Sequence, residues 1–396
     1  MVHRTGLNSD YPKASTGRNA RPHDIAALTV LRGFAAYTVL FTHCLRVGEA
    51  TYFDEAVPLA WAPRFIDLGT FGVLLFFALS GFTLNLNYGK DPVSIRSCAS
   101  YIIRRIARIY PAYAVSFIVY IALDTRVQHY IGFHGSQFIE EFGNVPTTKT
   151  LVEYITLTFN FAGNWFYINN VYWSLPIEFQ FYVSFPLFLI TTRISWLLTI
   201  GFSAVLFVVS GLAGAQFITF QLAWLFAGGV VASNAFMRRD RSAPGEVYWI
   251  VLGSLLILAM FTQSYDWPWT PGTRNIAMAP TVAVPYGLLA IAAVWSAANV
   301  PISHRIRAGR LFRFMLAQGE MSYSIYLWHN FLLIGCYVAI VRFAISGALR
   351  TAIIYSVTPL GTALLAKASY RWIELPGIQA GRQLARAVTR FQSRDL

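Results

Sequence analysis

Arg32 and His43 stand in one apolar run with ten residues between them. On a helix of 3.6 residues per turn that spacing puts both on one stripe, about 16 Å apart along the axis. Glu178 follows Pro176 and the aromatic pair Tyr172 and Trp173 at the start of another apolar run, and His329 lies inside a third. A titratable side chain at the centre of a membrane span costs at least about 2.5 kcal/mol, so each of the four requires a reason for being there. An imidazole can take a proton from a hydroxyl or accept a transferred group, and a carboxylate at the same depth can hold its tautomer. Glu178 is expected at the depth of His43 and is its expected partner. The plainer alternatives are a snorkelling arginine, hydrogen-bonded packing histidines and a structural ion pair. Arg104, Arg105 and Arg108 stand just before a third run, with Pro111 ending their stretch. Forked guanidinium groups at i and i+4 suit phosphate, although arginines at the inner edge of a membrane commonly set topology only.

The elements that must hold these groups are membrane helices. The chain has 396 residues, 56% hydrophobic and only 12% charged, with mean hydropathy +0.50, more apolar surface than one water-soluble core can bury. Runs near the roughly 20 residues a span needs occur at about 25–46, 67–87, 109–124, 172–191, 196–213, 217–236, 247–263, 278–297, 319–342 and 350–367. The expected fold is therefore all-α, a polytopic integral membrane bundle of about ten transmembrane helices. Alternate connections hold 22 Lys and Arg and the opposite ones only four, from which both termini are expected to be cytoplasmic.

A net charge of +13 would suit a reader of polyanions, but the basic residues sit in short segments between apolar runs, so nucleic acid is not an expected partner. Cys44, Cys98 and Cys336 fall in different segments without metal-ligand spacing, and no metal site is expected. The basic stretch 1–24 lacks the apolar core of a signal peptide and reads as a cytoplasmic tail. Residues 25–370 read as one membrane domain and 371–396 as a cytoplasmic tail, with Glu374 and Arg371 expected to pair. Trp61, Trp165, Trp267 and Trp269 read as interfacial anchors, and Leu151 to Phe161 as an interfacial or re-entrant helix.

Six short motifs in order resemble the acyltransferase 3 family of membrane O-acyltransferases. They are Arg32-Gly33-Phe34-Ala35-Ala36 with His43; Gly72 to Phe82, ending Ser80-Gly81-Phe82; Arg105-Ile106-Ala107-Arg108-Ile109-Tyr110-Pro111; Trp173-Ser174-Leu175-Pro176-Ile177-Glu178 with Phe181-Tyr182; Ser322 to His329; and Glu374-Leu375-Pro376. Thr29 departs from the pattern, since many relatives carry an acidic residue there. The resemblance implies an acyl-CoA donor, acetyl-CoA foremost, and a carbohydrate or lipid-linked glycan acceptor such as a cell-surface polysaccharide, in the inner membrane of a bacterium. It implies His43 and Glu178 as catalytic residues and Arg32, Ser80, Gly81, Arg105 and Arg108 as the donor's binding residues. Tyr323, Tyr326 and His329 are expected to line a polar seam. A proton-coupled transporter or glycolipid flippase is the alternative that intramembrane His and Glu leave open.

Overall fold

The computed structural model describes residues 25–48, 68–131, 146–164, 168–214, 217–238, 246–264 and 280–391. The N-terminal tail and Trp61, Trp165, Trp267 and Trp269 lie outside them. Within the described residues the architecture is entirely helical, without strands. In hydrocarbon this is the expected outcome, because a helix satisfies its backbone polar groups internally.

The chain runs through α1 (Ala26–Gly48), α2 (Gly69–Tyr88) and the long α3 (Ile95–Ile131). After the short α4 (Thr148–Ile155), a 3-10 turn, Asn170–Trp173, leads into α5 (Ser174–Ile194). Then come α6 (Trp196–Ala213), α7 (Ile218–Arg238), α8 (Glu246–Ser264) and α9 (Pro280–Asn299). Two short helices, α10 (His304–Ala308) and α11 (Arg310–Glu320), precede α12 (Ser322–Arg342). Last are α13 (Gly347–Ala352), α14 (Thr358–Ser369) and α15 (Leu375–Phe391), joined through π-turns at Ile353–Val357 and Tyr370–Glu374. Among the described residues eight helices are long and apolar enough to cross a membrane, and Glu246–Met260 and Ala283–Asn299 are shorter apolar helices. Each of the ten apolar runs falls on one of these. The protein is a multi-pass membrane protein.

Three features of the helices matter for the site. First, α3 begins at Ile95, so Arg104, Arg105 and Arg108 lie within the helix rather than before it, and Pro111 sits in its interior. Proline at 111 cannot donate to the Ala107 carbonyl, and Gly377 of α15 packs against that oxygen and the Pro111 ring. Second, residues past 370 are helical and α15 lies along α3. Third, Glu374 on the second π-turn is fully buried and accepts a hydrogen bond from Ser324 Oγ at 2.9 Å, whereas Arg371 is exposed, so the expected Glu374–Arg371 pair does not form. The stretch expected as an interfacial or re-entrant helix holds α4 and, after it, turns.

Helix association in lipid relies on close packing and interhelical hydrogen bonds. Between α2 and α7, Gly81 faces the Phe226 carbonyl and Gly229 faces the Ala78 carbonyl, so closely that a Cβ at either position would overlap the opposite backbone. A polar seam extends this contact: Asn85 Nδ2 donates to Val230 O at 3.2 Å and to Asn234 Oδ1 at 2.8 Å, and Asn234 Nδ2 donates to Thr192 Oγ1 at 3.1 Å. By contrast α6 buries only Thr199, Ser203 and Ser210 and exposes Leu197, Val205, Val208 and Leu212.

Candidate active site

Helices α1, α2, α3, α5 and α12 surround a chamber with about 750 Å³ of empty space, its open mouth included. The packing of α1 on α2 sets the vertical register. At one end Gly69 N donates to Thr42 Oγ1 at 2.8 Å, and towards the other Arg32 Nη2 donates to Thr83 Oγ1 at 2.8 Å. Arg32 therefore enters the chamber beside Thr83, while His43, next to Thr42, sits at the N-terminal end of α2. Arg105 and Arg108 come in from α3, Glu178 and Tyr182 from α5, and Tyr323 and Tyr326 from α12. Three guanidinium groups share the lining with one carboxylate.

Arg105 is held by rings rather than by an acid. Its guanidinium carbon lies 5.5 Å from the Tyr88 ring centre, 5.7 Å from Tyr101 and 5.6 Å from Tyr182, and Nη2 donates to Tyr88 Oη at 3.3 Å. Aromatic faces attract a cation without neutralising it, so the positive field remains available to an incoming anion. Arg105 Nε is buried without a hydrogen-bond partner. Arg104 turns aside, with Nη2 donating to Ser100 Oγ at 2.6 Å, and does not line the chamber. Arg108 does line it, and its charge also acts on Glu374.

Glu178 accepts hydrogen bonds from Ser80 Oγ at 3.3 Å and, in a very short contact, from Tyr182 Oη. Ser80 lies one turn from Thr83, so Glu178 sits near the depth of Arg32, about 16 Å along α2 from the level of His43. The structure does not bring Glu178 and His43 together. The reason is local: Asn169, Val171 and Tyr172, just before α5, are themselves buried, so the helix starts recessed within the bundle. Asn169 accepts from Val171 N at 3.2 Å, and Tyr172 Oη shares a hydrogen bond with Ser116 Oγ at 2.7 Å, which pins this turn inside. Counting depth from the first apolar residue therefore places Glu178 too near the surface.

His43 instead faces a second imidazole. Its ring centre is 5.2 Å from that of His329, which is wholly buried, and the His329 ring is 5.8 Å from Tyr326. Tyr326 joins this pair to the chamber: its hydroxyl donates to Val171 O at 2.8 Å and shares a hydrogen bond with Ser174 Oγ at 2.7 Å. Tyr326 and Ser174 both line the chamber, and His43 stands one ring beyond its end.

Of the residues expected to bind a donor, Arg32, Ser80, Arg105 and Arg108 line the chamber and Gly81 does not. Gly81 is taken up by the contact with Phe226 of α7, so its missing side chain serves helix packing. The tyrosine cage was not among the expected site residues. Spacing held the signal, since Tyr101 precedes Arg105 by four residues and Tyr182 follows Glu178 by four, the interval of same-face neighbours on a helix. Among the described residues no group of three His, Cys, Asp or Glu could hold a metal ion.

The family model described as an acyltransferase domain matches residues 25–367. Nodulation protein 10 of Rhizobium leguminosarum bv. viciae is 25% identical over 377 residues, covering 88% of this chain and 92% of the relative. Acyltransferase MdmB of Streptomyces mycarofaciens is 27% identical over 328 residues, covering 77% and 78% respectively. No solved structure matches the chain.

Proposed function

Because the chain belongs to the acyltransferase 3 family, whose domain spans residues 25–367, we propose that it moves an acyl group, acetyl foremost, from acyl-CoA to a hydroxyl of a carbohydrate acceptor. The observation that carries this reading is the chamber itself. Arg32, Arg105 and Arg108 share it with one carboxylate, and Tyr326 of its lining packs against His329, which faces His43.

Three guanidinium groups suit the phosphates of the donor, and the fork of Arg105 can engage two oxygens at once. From there the pantetheine arm runs past Ser80 and Glu178 towards Tyr326. An extended arm is on the order of the 16 Å that separates Arg32 from His43. At the far end His43 takes the proton of the acceptor hydroxyl as its oxygen attacks the thioester carbonyl. The carbon–sulfur bond breaks, the thiolate leaves with the proton held by His43, and an ester and free CoA result. Glu178, near the depth of Arg32, acts on the donor side and limits the positive charge there. The carbohydrate class of the acceptor and the bacterial inner membrane rest on the family resemblance, and the arginine-rich end is taken as the cytoplasmic one from the charge distribution.

The test is acyl-CoA consumption by the purified full chain. With acetyl-CoA and a neutral oligosaccharide, thiol release that depends on the acceptor supports the reading. Transport of a labelled glycan without thiol release would replace it with carriage across the membrane.

A further inference from the structure

Nδ1 of His329 lies 3.3 Å from the carbonyl oxygen of Ile325, one turn back on α12. A carbonyl oxygen can only accept, so Nδ1 carries the proton, and in a neutral imidazole Nε2 is then the bare nitrogen. That Nε2 is buried with no hydrogen-bond partner, on a residue with no exposed surface. A lone pair kept from water and from protein donors is rare enough to require an explanation. The neighbouring group able to use it is His43, whose ring centre is 5.2 Å away with the planes at 44°. With the centres at that separation, a nitrogen of each ring lying on the line between them would be about 3 Å from the other, a hydrogen-bond length. Hydrogen bonds of a catalytic site are commonly loose without substrate and tighten when it binds.

The geometry points to His329 as the positioning residue of His43: its Nε2 accepts an N–H from one nitrogen of the His43 ring and leaves the other bare for the acceptor hydroxyl. This takes the orienting place that sequence reasoning gives to Glu178, and it rests on the reading of His43 as the base. His329 itself gains no proton in the reaction. It accepts a hydrogen bond from the imidazolium as that forms, while the proton passes from hydroxyl to His43 and on to the leaving thiolate. Tyr326, packed edge-on at 5.8 Å and fixed through Val171 and Ser174, keeps the His329 ring from turning away.

Two measurements on the full chain test the assignment. The first needs no substrate: nitrogen-15 NMR of histidine-labelled protein in lipid vesicles. The expected result is a His329 signal protonated at Nδ1 and bare at Nε2, with the Nε2 resonance shifting in His43→Ala. A His329 protonated at Nε2, or one blind to His43→Ala, overturns the proposal. The second is kinetic, with acetyl-CoA as donor and a neutral oligosaccharide as acceptor. His329→Asn keeps a donor for Ile325 but cannot reach His43, and should lower kcat 10- to 100-fold with donor KM within twofold. His329→Gln places an amide oxygen near the position of Nε2 and should recover part of the loss. Wild-type kcat in His329→Asn, or no recovery in His329→Gln, overturns the role. Wild-type turnover in His43→Ala removes the base reading instead, an outcome the NMR result does not share.

Discussion

Replacing Arg105 by lysine keeps one positive charge in the chamber but removes the planar fork, and replacing it by alanine removes both. The size of each effect follows from its surroundings. Three tyrosine rings at 5.5 to 5.7 Å hold the guanidinium carbon in place, and no acid competes for it, so a phosphate oxygen meets a preformed donor. A hydrogen bond to a charged group contributes about 1.5–3 kcal/mol, which for alanine corresponds to a roughly 10- to 150-fold rise in the dissociation constant of CoA. Lysine retains the Coulomb attraction but loses the second prong, a loss of about 1.4 kcal/mol or tenfold. The assay is titration calorimetry of detergent-purified protein with CoA, paired with thermal unfolding, because each cation–π contact that is lost also removes about 0.5–2 kcal/mol from the folded state. Tyr101→Phe serves as the control, since it keeps the ring of the cage, removes a hydroxyl that has no hydrogen-bond partner and lies off the chamber lining, and should leave CoA affinity within twofold. If both arginine variants melt cooperatively and bind CoA as tightly as wild type, the chamber does not read the donor's phosphates and the assignment of Arg105 fails.

His43→Ala should abolish acyl transfer while the protein still inserts and binds CoA, because the apolar run around it suffices to span; thiol release at the wild-type rate would exclude His43 as the base. Glu178→Gln should tighten CoA binding, by about 1 kcal/mol or fivefold, since it removes the one negative charge beside three arginines; weaker binding in calorimetry would contradict that placement. Gly81→Ala should destabilise the bundle by about 1–3 kcal/mol, because a Cβ there overlaps the Phe226 carbonyl, and an unaltered melting curve would show that α2 and α7 can part without loss.

The helices were legible in the sequence because hydrocarbon permits few alternatives: a run of apolar residues near the length of a span has to be a helix. The arginines of the site were legible as well, since Arg32, Arg105 and Arg108 interrupt or border such runs. Position across the bundle was harder to read. Arg105 reads as part of a connection because apolarity fades around it, yet the helix continues, with Tyr88, Tyr101 and Tyr182 packed around the charge that hydropathy counts against a span. Counted along the chain, Glu178 reads at the depth of His43 because its run begins at Tyr172; that residue is buried in protein, and nothing along the chain marks a helix that starts below the surface. His329 and His43 are 286 positions apart, and only the packing of α12 on α1 makes them neighbours.

The small hydroxyls of α6 have a consequence for how this protein can change over time. Thr199, Ser203 and Ser210 are its buried residues, and Thr199 Oγ1 donates to Thr191 Oγ1 of α5 at 3.1 Å. Phe202 and Leu206 also pack on the core, Phe202 edge-on to Phe188 with ring centres 5.7 Å apart, whereas Leu197, Val205, Val208 and Leu212 face lipid, where one apolar side chain substitutes for another with little effect on packing. Drift should therefore be fast at the lipid-facing positions of α6 and slow at these five, so the outer face of this helix can diverge widely while its seat on the bundle stays the same.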